Sequence, residues 1–325
     1  MALYLLRRLL YGALVLFGVN LLTFLLFFAV NTPDDMARLN LGGKHVTAEA
    51  IEAWKSAHDL QDPLFWNPQA SGLEKATRTI FFKKSLPLLA LEFGESDSGR
   101  DIASEIRTRM WPSLALALPT FLLGLAVVLG AAVLLVLVRG SRAERAGLAA
   151  AVLLMSISSL FFIILSQWLF AKVLRWFPVS GYAEGARSIV FLLLPIAAGI
   201  LSRLGSDTLL FRAMLLEEAG KDYVRTARAK GLSEMRVLFR HVLRNALLPI
   251  STATIALIPM LFMGSLVMES FFGIPGLGSY TIDALNAQDF SVVRVMVFLG
   301  TAAYIIGLVA TDMVYAWADP RIRFE

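Results

Sequence analysis

Long apolar runs alternate along this chain with short charged connections. Each run is near the roughly 20 residues that a helix needs to cross a hydrocarbon core, where every backbone group must be paired inside the segment. Six such runs are present: Leu9 to Val30, Ser113 to Val138, Gly147 to Ala171, about Ser188 to about Leu210, Ala246 to Met268, and about Val292 to Tyr315. The pattern predicts an all-α, polytopic membrane protein with six transmembrane helices. The first run follows Arg7 and Arg8, has no small-residue cleavage site and exceeds the length of a signal-peptide core, so it is expected to be an uncleaved span. The fourth carries Arg203 and Asp207 in its last third, and four-residue spacing on a helix lets them pair. The fifth holds Pro249 and Pro259, which neighbouring helices can accommodate.

The polar stretch from 31 to 112 separates the first two runs and is expected to be a small subdomain. Its amphipathic segment Ala48 to Leu60 and its turn-rich pieces, Asp62-Pro63 and Gly94 to Gly99, predict short helices rather than a sheet. Orientation follows from lysines and arginines in the short connections, because long loops translocate largely regardless of charge. With the N-terminus inside, the inner segments hold sixteen of them and the outer ones only Lys172, Arg175 and Arg187. That asymmetry predicts both termini in the cytoplasm and residues 31–112 on the extracytoplasmic side.

Composition agrees with the hydropathy pattern: 57% of the 325 residues are apolar and 17% charged, with a mean hydropathy of +0.68. A net charge of +5 gives no support to a nucleic-acid partner, and the absence of cysteine removes disulfides and thiolate chemistry together.

The connection between the fourth and fifth runs is the longest inner one and the most structured. Gly231 is expected to stop one helix by adopting a positive backbone angle, and Ser233 to cap the next, with Glu234 in its first turn. In that second helix Met235, Leu238 and Val242 form an apolar stripe beside a basic one of Arg236, Arg240 and Arg244. Two readings compete: arginines snorkelling to lipid phosphates over a packed apolar face, or a surface made for docking.

The stretch from Tyr223 to Ser233, Tyr-Val-Arg-Thr-Ala-Arg-Ala-Lys-Gly-Leu-Ser, followed by Arg240 to Pro249, Arg-His-Val-Leu-Arg-Asn-Ala-Leu-Leu-Pro, resembles the cytoplasmic loop of inner-membrane permeases of ABC importers. The dipeptide, oligopeptide and nickel branch is the most similar, in its first type of permease subunit. The resemblance extends to Tyr4–Tyr11, Leu60–Leu64, Phe93–Pro112, Pro178–Tyr182, Glu269–Gly278 and Asp319–Arg323. One departure lies in the loop itself: Arg225-Thr226-Ala227 stands where many ABC permeases carry Glu-Ala-Ala. Residues 31–112 match only in patches.

The resemblance implies one span, 1–30, ahead of an extracytoplasmic subdomain, 31–112, and a five-helix permease core, 113–325, with a coupling loop over 212–246. It implies a bacterial inner membrane, a second homologous permease subunit, two cytoplasmic ATPase subunits, an extracytoplasmic solute-binding protein and peptide cargo. The ATPase-docking residues carried over are Tyr223, Arg225, Thr226, Ala227, Arg228, Ala229, Lys230, Gly231, Leu232, Ser233 and Glu234. Glu269, Phe271, Phe272, Pro275 and Gly276 are candidates for the pathway or an outer loop. The Gly273–Gly278 stretch is too rich in helix breakers to cross lipid exposed, so it is expected to be a re-entrant or capping loop in which Phe271, Phe272, Ile274 and Leu277 find cover.

No phosphate-cradling Gly-x-x-x-x-Gly-Lys-Ser/Thr occurs; Gly43-Lys44-His45 and Gly220-Lys221-Asp222 lack the hydroxyl residue. No cofactor is therefore expected on this chain, and ATP with magnesium is expected on partner ATPases. His45, His58 and His241 are the only histidines, spread over both sides of the predicted topology, which disfavours a shared metal site. No nucleophile and base can be assembled, so the chain is not expected to be an enzyme. The alternative is a stand-alone secondary transporter or channel, which would need charged pathway residues and internal repeat symmetry. Glu269 and Asp312, near span ends, are expected to snorkel or to meet an arginine.

Overall fold

A computed structural model describes residues 2–42, 46–183, 185–255 and 257–318. Among the described residues are sixteen α-helices: α1 (Ala2–Phe24), α2 (Pro33–Leu41), α3 (Ala48–Ala57), α4 (Glu74–Thr77), α5 (Ile80–Lys84), α6 (Leu86–Leu89), α7 (Ile102–Leu137), α8 (Arg142–Ser156), α9 (Ser159–Ser166), α10 (Ser188–Ala219), α11 (Asp222–Ala229), α12 (Glu234–Val237), α13 (Arg244–Ile255), α14 (Leu266–Phe272), α15 (Leu277–Asn286) and α16 (Phe290–Ala318). Among the described residues there is no strand, only a single bridge between Glu95 and Asp101. The chain is all-α. Among the described residues five helices are long and apolar enough to cross a membrane: Leu6–Val30, Ile102–Leu137, Ser188–Ala219, Glu234–Met263 and Phe290–Val314.

The expected third span is different. Arg142–Ser156 and Ser159–Val173 meet at 91°, so the sixth crossing exists only if this bent pair is one span. The serines around the bend explain it. The Ser156 hydroxyl donates back to the Val152 carbonyl, Ile157 is extended, and Ser158 accepts from the Leu160 N–H as the cap of a new helix.

Two compact units make up the chain: Met1–Arg109 with Tyr280–Ile305, and Met110–Ser279 with Ile306–Phe324. In the first, short helices replace a sheet as expected. Thr32 and Asp35 form a reciprocal capping box at the start of α2, and Thr47 caps α3. Phe24, Phe28, Met36, Leu60 and Ile80 form the buried core of this unit, flanked by Trp54, Phe81 and Phe290. Ser85 fastens it: its carbonyl accepts from the buried Asn20 amide at 2.8 Å and its hydroxyl from Arg294 Nη2 at 2.8 Å.

In the second unit, α10 packs along α8 and α9. The crossing is close at Gly205, where any β-carbon would overlap the Ala151 carbonyl oxygen. A second apolar core joins Val128, Ala132 and Val133 of α7 to Phe211 and Leu215 of α10 and to Val224, Val237, Leu238, Val242, Ala246 and Ile250. The loop thus folds into the same core as the helices on either side of it.

Candidate functional site

The corner at Gly231 is built from α10 outward. This helix runs through Ala219, well past the expected end near Leu210, and Gly220 ends it. Asp222 opens α11, a helix whose inward face is only Val224 and Ala227, both buried in the core just described. Gly231 has φ of 77°, the left-handed angle expected of it, and nothing lies within 4 Å of where its β-carbon would stand. Its positive angle, rather than crowding, demands glycine. The Arg228 guanidinium grips Glu234 across the corner, Nε to Oε1 at 2.9 Å and Nη2 to Oε2 at 3.2 Å. This fork closes the turn with a two-point contact.

Behind the corner lies a buried carboxylate. Glu218 accepts from the Tyr223 hydroxyl and from Lys221 Nζ at 2.5 Å. Tyr223 in turn accepts from the Asn245 amide at 2.9 Å, and the same amide also donates to the His241 carbonyl at 2.9 Å. One connected knot therefore ties the end of α10, the start of α11 and the start of α13. Burial, and then the bond to Glu218, pushes the Tyr223 hydroxyl above the usual phenol range. It stays a proton donor at every physiological pH.

Three expectations for the loop are corrected. The second loop helix is not separate from the fifth expected run, Ala246 to Met268: α12 passes through a wider π turn, Leu238–Leu243, into α13, and the whole stretch Glu234–Met263 is one candidate span. That turn shifts the register, so Val237, not Met235, is buried beside Leu238 and Val242, while Met235 is 55% exposed. Ser233 occupies the capping position without a side-chain capping bond. Of the proposed docking residues, Tyr223, Arg225, Thr226, Arg228, Ala229, Lys230, Gly231, Ser233 and Glu234 are exposed, Leu232 is half-buried, and Ala227 is turned into the core. Arg236, Arg240 and Arg244 are all exposed.

The second candidate region centres on Glu269, which is fully buried. The expectation that it snorkels or meets an arginine is wrong. Its Oε1 accepts the Ser265 N–H at 3.0 Å, and its Oε2 accepts the Gly278 and Ser279 N–H groups at 2.7 and 3.1 Å. The Ser113 hydroxyl adds a further bond and itself accepts the Leu277 N–H at 2.8 Å. A β-carbon at Gly276 would collide with this carboxylate. Glycine and proline here make a tight hairpin: Gly273 ends α14 with a left-handed angle, and α15 begins at Leu277. Phe272, Ile274 and Leu277 are buried in it, whereas Phe271 is 43% exposed and Pro275 is exposed.

None of Glu269, Phe271, Phe272, Pro275 and Gly276 lines the large cavity of this unit. That space, about 470 Å³, is lined by residues of α7, α9 and α10 and by others between Ala253 and Met268, with Thr120, Gly199, Arg203, Asp207, Met260 and Met268 among them. Arg203 and Asp207 pair there at 3.0 Å, as their spacing predicts. Hydropathy alone marks the wall residues only as parts of spans. The described residues contain no group of three metal-ligating side chains. His45 lies outside them.

Several helices long and apolar enough to cross a membrane, a largely apolar cavity among them and an exposed corner tied by hydrogen bonds make this a polytopic membrane protein. The chain belongs to the family described as the inner membrane component of binding-protein-dependent transport systems: that family's model matches residues 123–324, and the model of its N-terminal region matches residues 1–73. The dipeptide transport system permease protein DppB of Bacillus subtilis is 29% identical over 327 residues, covering 100% of this chain and 99% of the relative. The glutathione transport system permease protein GsiC of Escherichia coli K12 is 29% identical over 326 residues, with 99% of each chain covered.

Proposed function

We propose that this chain is the first permease subunit of an ATP-driven ABC importer that carries di- or oligopeptides inward. It works beside a second, homologous permease, two cytoplasmic ATPase subunits that hold ATP and magnesium, and an extracytoplasmic solute-binding protein. Both termini face the cytoplasm, and residues 31–112 stand outside. Full-length similarity to dipeptide and glutathione permeases supports the cargo class.

The observation that carries the coupling role is the tied corner. Tyr223, Glu218 and Asn245 join three helices by hydrogen bonds, and the Arg228–Glu234 fork stiffens the turn. An ATPase pressing on the exposed face of α11 would therefore move α10 and the Glu234–Met263 span as one piece, where a loose loop would absorb the push. Alternating access follows: the binding protein delivers solute, closing of the ATPase dimer opens the spans outward, and hydrolysis resets them.

Uptake of a labelled dipeptide into proteoliposomes containing all five components tests this reading. Uptake should require both ATP and the binding protein. Uptake driven by this chain without the ATPases would establish a secondary transporter instead.

A further inference from the structure

The first unit contains a cavity of about 450 Å³ that the transport reading does not use. Its volume lies within the usual range of small-ligand sites. Its lining mixes apolar side chains, Phe28, Met36, Trp54, Leu60 and Phe290, with ionic ones, His58, Asp59, Lys84, Glu95 and Asp97.

Two of the ionic groups are poorly provided for by the protein. Lys84 is half-buried and makes no ion pair or side-chain hydrogen bond among the described residues, although Asp59 and Asp97 are near enough to stabilise its charge. Burial holds its ammonium below the usual lysine range. Asp97 is half-buried too. Its Oδ1 accepts the Ser291 hydroxyl at 3.3 Å, and burial together with the neighbouring Asp289 carboxylate raises it above the usual range. His58 donates from Nδ1 to the Trp54 carbonyl at 2.8 Å and stacks on that indole.

The mixture of signs selects the occupant. A simple cation would meet Lys84, a phosphate or other polyanion would meet three carboxylates, and a metal finds no converging set of ligands among the described residues. A molecule carrying one ammonium and one carboxylate neutralises both half-buried charges at once. We infer that this cavity binds a small zwitterion with free α-amino and α-carboxyl groups, its ammonium at Asp97, its carboxylate at Lys84, and its side chain against Trp54, Phe28 and Phe290. The zwitterion follows from the cavity; taking it to be a short peptide rests on the importer reading.

The test uses the full chain in nanodiscs and alanyl-phenylalanine, with equilibrium dialysis as the readout. Free dipeptide should bind saturably, and either N-acetylation or C-amidation should weaken it at least tenfold. Asp97→Asn should weaken the free dipeptide tenfold while leaving the N-acetyl form unchanged, and Lys84→Met should do the same for the free and amidated forms. Absence of saturable binding, equal binding of the capped peptides, or variants that bind like wild type would each overturn the assignment. The capped peptides probe the unaltered chain, so a variant that fails to fold leaves the test intact. Failure here with ATP-driven dipeptide uptake preserved would remove the site and keep the importer; binding without uptake would do the reverse.

Discussion

The Asn245 amide donates to the Tyr223 hydroxyl at 2.9 Å, twenty-two positions earlier in the chain, and that hydroxyl donates onward to the buried Glu218. Each donor in this row points toward the carboxylate, so the bonds polarise one another in the same direction. The row links the corner to two long helices.

Tyr223→Phe breaks the row while keeping the ring. Glu218 loses a donor and the Asn245 amide an acceptor, a loss of about 1 kcal/mol for a partly exposed network. Amide exchange across Asp222–Ala229 is expected to quicken several-fold, with insertion into the membrane unchanged. Unaltered exchange would show that the row does not hold the corner.

Glu269→Gln tests the hairpin. A carboxylate offers two acceptor oxygens, and three N–H groups use them; an amide has one oxygen and turns an NH₂ toward at least one of those donors. Each stranded buried donor costs about 1 to 3 kcal/mol. The purified variant should lose its fold at a lower temperature in detergent than the wild type, and Gly276→Ala should do likewise by crowding the same oxygens. A glutamine variant as heat-resistant as wild type would mean the carboxylate is not what closes the turn.

Much of this architecture is legible in the sequence because hydrophobic run length is a direct physical requirement of the bilayer. Five of the six expected runs are long helices, and Gly231 declares its angle through the residue type. The bend at Ser156–Ser158 is hidden, since apolar residues continue on both sides and only local hydroxyl bonding breaks the helix. Glu269 is misread because three of its partners are backbone N–H groups, which have no sequence signature, and the fourth is a hydroxyl far away in the chain, on Ser113. The π turn at Leu238–Leu243 defeats a stripe drawn with a period of 3.6. Gly205 passes unnoticed for a similar reason: what makes it necessary is the Ala151 carbonyl on another helix, far away in the chain. The cavity of the first unit gathers residues from 28 to 291, so no window of sequence contains it.

Topology can be read with cysteine labels, because the chain has none of its own. A cysteine at Ala70 should react with an impermeant reagent on intact cells, and one at Ala143 only after the membrane is opened. The opposite pattern would invert the proposed orientation and place the Gly231 corner outside, away from any ATPase.

The corner itself gives the most direct test of coupling. At φ of 77° and with open space around it, Gly231 can be replaced without any clash, so the cost of a substitution is the backbone angle alone. Gly231→Val puts a β-branched residue where it is strained by about 1 to 3 kcal/mol. Gly231→Asn keeps most of the angle's accessibility and serves as the matched control. The valine chain should insert normally, retain less of the ATPase on co-purification, and lose transport while the binding protein still holds solute. The asparagine chain should keep most of its activity. Arg240→Ala, exposed on the Glu234–Met263 span beyond the corner, separates docking from snorkelling, because loss of a lipid contact alone would leave ATPase retention intact. Full transport and full ATPase retention by the valine chain would make the corner a solvated connector.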